Sequence, residues 1–236
     1  DNTVWDLATI KAKCLLGTMG DDQIVGYASN DTILGGAGND SIWGLDGNDS
    51  LKGEDGADVL VGGTGNDVLD GGDGDDIISG KYGANTIIGG NGNDLIHMDS
   101  EGGYYATITF DMGEFVEINR FDEFNTVTGG AGADRFRFAD IYQEDARDVI
   151  TDFTQNLDRI QLVGENYAAL GSSVEAGEFA YGTAATTADQ HLLHNQTDGT
   201  LYYDADGSAS QAAVQLATVL NAGVPANLDH TSFEIV

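Results

Sequence analysis

"GGTGNDVLDGGDGDDIISG", residues 62–80, holds seven glycines and sets Asp73, Asp75 and Asp76 almost side by side, with only Val68, Leu69, Ile77 and Ile78 as bulk. A folded chain that gathers like charges needs something to hold them together. The surrounding sequence supplies a rule: a period of nine runs without insertion from Gly17 to His97. The nine units are "GTMGDDQIV", "GYASNDTIL", "GGAGNDSIW", "GLDGNDSLK", "GEDGADVLV", "GGTGNDVLD", "GGDGDDIIS", "GKYGANTII" and "GGNGNDLIH". The first position is always Gly, the fourth is Gly except at Ser29, the sixth is Asp except at Asn85, and the eighth is always Ile or Leu. Internal repetition of this kind marks a solenoid.

Each column has a physical meaning. Glycines at the first and fourth positions suit a turn that needs positive φ and close backbone approach. The last three residues of a unit read as a short strand whose middle side chain points inward. Those side chains, Ile24, Ile33, Ile42, Leu51, Leu60, Leu69, Ile78, Ile87 and Ile96, form the expected core. One turn plus one strand reverses the chain, so two units complete a coil and alternate strands stack into two parallel sheets. The expected fold class is therefore all-β, a parallel β-roll or right-handed β-solenoid. Stacking places Asp40 near Asp58 and Asp58 near Asp76, with Asp31, Asp49 and Asp67 aligned on the opposite edge. Bare, these columns repel. Oxygen-rich turns of this sort suit a hard cation with six to eight oxygen ligands, which is calcium; magnesium keeps its waters, and zinc wants the His or Cys that the turns lack. Five turns on one edge and four on the other leave room for up to seven ions. Residues 17–97 carry a net charge of -13, which seven Ca²⁺ would balance. Without calcium, a Gly/Asp-rich stretch reads as a solvated linker. Each ion bound only by the folded form adds about 2.7 kcal/mol at a hundredfold excess over its Kd, so several sites decide whether the segment folds.

The pattern GGxGxDxUx, complete at residues 35–43, 62–70, 71–79 and 89–97, resembles that of the RTX (repeats-in-toxin) family. The resemblance implies a calcium-loaded β-roll in a protein exported unfolded by the type I secretion machinery and folded outside the cell. Carried over by position, the metal ligands are Asp22, Asp31, Asp40, Asp49, Asp58, Asp67, Asp76 and Asp94. Carbonyls of the turn glycines Gly36, Gly38, Gly47, Gly56, Gly63, Gly65, Gly72, Gly74, Gly90 and Gly92 would assist them. Asn85, Ser29 and Thr18 depart from the pattern.

The flanks are less regular. "DLATIKAKCLLG" places Leu7, Ile10 and Cys14 on one helical face, an expected N-terminal cap over 1–16, with a partner-binding helix as the alternative. After the roll of 17–97, "ATITF" and "EFVEI" read as a β-hairpin insertion over 98–119. Exposed aromatics there, such as Tyr104 and Tyr105, pack or touch a ligand. The repeat returns in 120–165 as a second short roll or closing coil, with Asn125 and Val127 in a degenerate unit and Asp134 and Phe136 in a good one, "GGAGADRFR". Residues 129–162 resemble the C-terminal domain of serralysin-type metalloproteases and related modules of alginate epimerases, which close a roll. On that resemblance Asp148, Asp152 and Asp158 are candidates for a further ion, and Asp134 joins the metal ligands as the sixth-position acid of its unit. Residues 166–236 form a capping region ending in "HTSFEIV", a tail like the uncleaved signals of type I substrates. Asp204 and Asp206 in "TDGTLYYDADG" either chelate calcium or shape an acidic turn; Gln215 stands where an EF-hand needs Glu.

Composition limits the partners. With 9 Lys and Arg against 40 Asp and Glu, the net charge of -31 repels nucleic acid and anionic membranes. No apolar run reaches the length of a membrane span, and no basic-then-apolar leader opens the chain. Cys14, the single cysteine, excludes an internal disulfide framework. The opening at Asp1 suggests a piece of a longer polypeptide. No H-E-x-x-H or G-x-S-x-G occurs, and "HLLH" at 191–194 has no glutamate beside either histidine. The sequence thus points to a noncatalytic calcium-binding module of an extracellular protein. A recognition module for a polysaccharide or cell surface is the alternative.

Overall fold

A computed structural model describes residues 15–97, 125–139, 148–207 and 212–236. The chain alternates between two sheets. One takes β1 (Gln23–Val25), β3 (Ser41–Asp46), β5 (Val59–Thr64), β7 (Ile77–Tyr82), β9 (Leu95–His97), β11 (Arg135–Phe138), β13 (Arg159–Leu162) and β19 (Phe233–Ile235), in that order. The other runs from β2 (Thr32–Ala37) through β4 (Ser50–Asp55), β6 (Val68–Asp73), β8 (Thr86–Asn91), β10 (Thr126–Ala131) and β12 (Val149–Ile150) to β17 (Val214–Asn221). Every pairing within the roll is parallel with a register of one coil, as in Ile24↔Ile42 and Leu51↔Leu69. This is a parallel β-roll.

The register follows from the eighth column. A slip of one residue would turn every aliphatic from the interior to solvent. From Ile33 to Ile96 these side chains are at most 1% exposed, and Ile24, beside the first coil's open end, is 6% exposed. One apolar side chain per turn and strand is a thin core, and it becomes continuous only by stacking.

Strands are longer than the three residues expected. From β2 to β8, and again at β10, they run for six, through the first three positions of the next unit, because the turn glycines keep hydrogen bonding between coils: Gly38 N–H donates to Asp55 O at 2.8 Å, Gly56 to Asp73 O at 2.7 Å and Gly74 to Asn91 O at 2.7 Å. From Gly36 onward the second position takes a left-handed φ, from 63° at Lys81 to 118° at Gly63, which bends the strand without ending it.

Residues 126–138 do not begin a separate roll. β10 pairs with β8 and β11 with β9, so they extend the same two sheets, and the expected second roll is corrected to a continuation of the first. The hairpin expected over 98–119 lies outside the described residues, as does the capping helix as far as residue 14. Leu15 is buried and Leu16 forms a parallel bridge with Leu34. At the other end, β14 (Phe179–Tyr181), β15 (Leu192–His194), β16 (Thr200–Tyr203) and β17 reach the second sheet through β12, with β18 (Val224–Pro225) folding back on β17. Tyr167, Leu192, Leu201, Leu216 and Leu228 close the core there. Among the described residues no helix is long and apolar enough to cross a membrane.

Candidate metal centre

Stacked turns bring the sixth-position carboxylates into two ladders. On one edge the Asp22 N–H donates to Asp40 Oδ1 at 2.8 Å, Asp40 to Asp58 at 2.7 Å, Asp58 to Asp76 at 2.8 Å and Asp76 to Asp94 at 2.9 Å. The ladder continues from Asp94 to Asp134 at 3.0 Å and from Asp134 to Asp158 at 3.1 Å. On the other edge Asp31 donates to Asp49 and Asp49 to Asp67, both at 2.8 Å. Beyond Asp67 the acceptors are amides: Asn85 Oδ1 at 2.9 Å and then Asn125 Oδ1 at 3.2 Å, before Asp148 closes the series at 2.7 Å.

One oxygen of each carboxylate after Asp22 and Asp31 is thus spent on the neighbouring coil. The other is not. Oδ2 of Asp40, Asp49, Asp58, Asp67, Asp76, Asp94 and Asp134 is buried with no hydrogen-bond donor, in residues only 1 to 2% exposed. No cation side chain compensates, since the ion pairs of the described residues join Lys52 to Asp70 and Arg135 to Glu234, outside the ladders. Burial without a partner raises the pKa values. Asp67, Asp94 and Asp134 reach about 6 and Asp76 about 7, chiefly by desolvation, with neighbouring carboxylates adding to the rise. Asp40, Asp49, Asp58 and Asp158 shift upward for the same main reason.

Backbone oxygens face the same spots. A Cβ on Gly35 would fall against Asp40 Oδ2 and lie 2.7 Å from Gly53 O. The same holds for Gly44, between Asp49 Oδ2 and Gly62 O, and for Gly62, between Asp67 Oδ2 and Gly80 O. The first-position glycines Gly26, Gly35, Gly44, Gly53, Gly62, Gly71 and Gly89 therefore leave a cradle lined by a carboxylate oxygen and a carbonyl oxygen. Such a donor set fits calcium, whose ligands are carboxylate and carbonyl oxygens, and does not fit zinc. Among the described residues no three carboxylate, histidine or cysteine side chains gather at one point, so backbone oxygens must supply much of any coordination shell.

The remaining sequence candidates sit as follows. Gly36, Gly38, Gly47, Gly56, Gly63, Gly65, Gly72, Gly74, Gly90 and Gly92 all take left-handed φ, between 109° and 146°. Carbonyls such as those of Gly38, Gly56 and Gly74 point along the stack at the glycine one coil on, while the carbonyls facing the orphaned oxygens belong to first-position glycines, to which the sequence assigns close backbone approach but which are not among the expected ligands. Asp22, Asp31 and Asp158 belong to the ladders, but their second oxygen accepts the N–H of Thr18, Tyr27 and Thr154 respectively. Asp152 stands off the ladders and holds the Gly129 and Gly130 N–H groups, each at 2.9 Å. Asp204 folds its own loop by accepting from Gly207 N–H at 3.0 Å. The two histidines of "HLLH" diverge: His191 Nδ1 lies 2.7 Å from Asp204 O, whereas His194 is fully buried with neither ring nitrogen hydrogen-bonded.

A second ladder also escaped the sequence reading. Fifth-position side chains Asp21, Asn30, Asn39, Asn48, Asn66, Asp75 and Asn93 accept the N–H of the fifth-position residue one coil on, at 2.8 to 3.0 Å. The signal was present, because seven of nine fifth positions are Asn or Asp. The crowded acids of the opening stretch thereby separate: Asp76 joins the inner ladder, Asp75 the outer one, and Asp73 accepts from Asn91 Nδ2 at 2.7 Å.

No curated protein matches the chain. Among solved structures, the extracellular lipase LipA of Serratia marcescens aligns at 14% identity and a TM-score of 0.31, covering 93% of this chain, which spans 39% of the lipase. A subunit of the mannuronan C5-epimerase of Azotobacter vinelandii aligns at 20% identity and a TM-score of 0.24, covering 92% of this chain and 79% of its own. The family model of the RTX calcium-binding nonapeptide repeat matches residues 16–51, 52–81, 70–99 and 122–138. Its span includes all seven orphaned carboxylates, so residues 16–99 and 122–138 of the chain carry the RTX calcium-binding nonapeptide repeat.

Proposed function

We propose that the chain is a noncatalytic calcium-dependent folding module of a larger secreted protein. The observation that carries the reading is the set of seven buried, donorless carboxylate oxygens in a body with net charge -31. Asp40, Asp49, Asp58, Asp67, Asp76, Asp94 and Asp134 hold calcium in this reading, with turn carbonyls completing each shell. Bound calcium supplies the positive charge that lets successive turns approach. The residues do the rest: Oδ1 ties each coil to the one before it, and the eighth-position aliphatic buries the interior. Without compensation the stacked carboxylates repel and burial disfavours their charge, so the chain stays extended where calcium is scarce.

In the folded chain β19 pairs with β13, the Val236 N–H donates to Leu162 O at 3.0 Å, and Phe233 is buried. In this reading the type I machinery takes the calcium-poor, unfolded chain and the roll forms outside the cell. Far-ultraviolet circular dichroism tests the proposal. Disorder is expected in chelator and β-structure in millimolar calcium; an unchanged spectrum on adding EDTA would refute it.

One observation favours a second reading, a recognition module. The seventh column of the repeats has no cations, but its continuation does: Arg135 and Arg159 are register partners on adjacent strands, and Arg137 extends from the same face as Arg135. Arg135 has only a 3.6 Å contact with Glu234, and Arg137 makes no ion pair. Forked guanidinium groups so placed suit the carboxylates of an acidic polysaccharide. Retention on a polyuronate resin in calcium, reduced at least about tenfold in an R137A/R159A variant, is the expected result, a loss of about 1.4 kcal/mol. Equal elution of both proteins would reject this reading.

A further inference from the structure

Resting on the calcium reading above, we infer that the two edges of the roll load unequally: five ions against Asp40, Asp58, Asp76, Asp94 and Asp134, two against Asp49 and Asp67, and none in the turns of Asp22, Asp31, Asp158 and Asn85. Two kinds of turn carry the distinction. In the first, the N–H four residues before the aspartate seals its second oxygen: Thr18 for Asp22, Tyr27 for Asp31 and Thr154 for Asp158. The sealing residue does not take a left-handed φ. In the second kind, the residue four before the aspartate is left-handed, its N–H makes no bond to Oδ2, and that oxygen is orphaned. All seven orphaned oxygens obey this rule, with Gly36, Leu45, Glu54, Gly63, Gly72, Gly90 and Gly130 in the left-handed position.

Leu45 and Glu54 are informative because they are not glycines. Their φ values of 80° and 78° cost about 1 to 2 kcal/mol each, and such strain persists only where its surroundings demand it. A sealed turn at Asp49 or Asp58 would avoid it. The turn of Asn85 separates backbone from side chain. Lys81 is left-handed at 63°, so the turn is open, but Asn85 aims Nδ2 at the Gly80 cradle and donates it to Gly83 O at 3.0 Å. A donor occupies the spot where the other turns offer an oxygen, and a cation is repelled there. The next rung, Asn125, is also an amide, so the second edge carries no carboxylate between Asp67 and Asp148.

The sealed turns stand at the start of both ladders and at the far end of the first, beyond Asp134. The more evenly charged edge runs from Asp40 to Asp134, so the later coils are pinned by ions on one edge only. The Asn85 turn stays closed to calcium at any concentration.

Native mass spectrometry of the full chain, desalted from millimolar calcium, tests this by counting ions. Seven are expected for the parent sequence, seven for Asp22→Asn, six for Asp76→Asn and eight for Asn85→Asp. If Asp22→Asn loses an ion as Asp76→Asn does, or if Asn85→Asp gains none, the unequal loading is overturned while the calcium reading stands. A parent chain that carries no calcium overturns the calcium reading itself. Should Asp76→Asn fail to fold, the count for Asn85→Asp alone decides, since that variant adds a carboxylate to a turn that is already open.

Discussion

At the scale of single residues, seven of the ladder aspartates are in the proposed reading divided between two tasks, one oxygen for the chain and one for the ion. Asp58→Asn keeps the Oδ1 acceptor for Asp40 N–H and replaces the orphaned oxygen with a donor. Loss of one site then costs about 3 kcal/mol in calcium, readable as a lowered midpoint in urea at fixed calcium. A midpoint equal to the parent's would show that Oδ2 holds nothing. First-position glycines are equally constrained. Gly53→Ala drives a methyl group against Asp58 Oδ2 and to within 2.5 Å of Gly71 O, so a destabilisation of about 1 to 3 kcal/mol is expected from overpacking. Thermal melts in calcium check it, and a neutral substitution would mean that the cradle is roomier than it stands. Sequence alone exposed the aspartate column because its period is strict. It did not expose which aspartates are sealed, since that depends on the φ of a residue four positions earlier, and Thr18, Tyr27, Leu45 and Glu54 are all non-glycines with opposite outcomes.

At the scale of elements, each coil rests only on its neighbours, so position along the roll sets the effect of a core change. Leu60 is fully buried between Ile42 and Ile78, whereas Ile24 has a partner on one side in its sheet. Leu60→Ala should cost about 2 to 5 kcal/mol and Ile24→Ala clearly less; calcium-loaded denaturation of the two variants gives the comparison, and equal losses would contradict it. The inward column and the alternation of strands between two sheets were legible because aliphatics recur at every eighth position. Strand length was not. A glycine with positive φ carries the same composition whether it ends a strand or bends one, and only the bonds between coils, such as Gly56 N–H to Asp73 O, distinguish the cases. The return of the repeat at 126–138 was visible in "GGAGADRFR", but not that β10 would rejoin β8 across the intervening residues.

At the scale of the molecule, protons and calcium in the proposed reading compete for the same oxygens. Asp67, Asp94 and Asp134 have pKa values of about 6 and Asp76 about 7 in the metal-free roll, against an ordinary value of 3.8. The folded state therefore binds protons more tightly than the unfolded chain. The resulting stabilisation of the metal-free roll is fully present below pH 3.8 and is lost as pH rises through 6 to 7. Two results are expected. Without calcium the roll is weakest above pH 7, and with calcium the folding midpoint moves to higher calcium concentration by about tenfold between pH 8 and pH 5.5, since one pKa unit is worth about 1.4 kcal/mol. Circular dichroism titrations at several pH values give the midpoints, and a pH-independent midpoint would exclude these carboxylates as ligands.

The central claim is that the orphaned Oδ2 atoms are calcium ligands. Anomalous diffraction from crystals grown in millimolar calcium tests it most directly. The account predicts anomalous peaks at about 2.3 to 2.6 Å from Oδ2 of Asp40, Asp49, Asp58, Asp67, Asp76, Asp94 and Asp134. Ordered water or sodium beside those oxygens, with no anomalous signal, would contradict it.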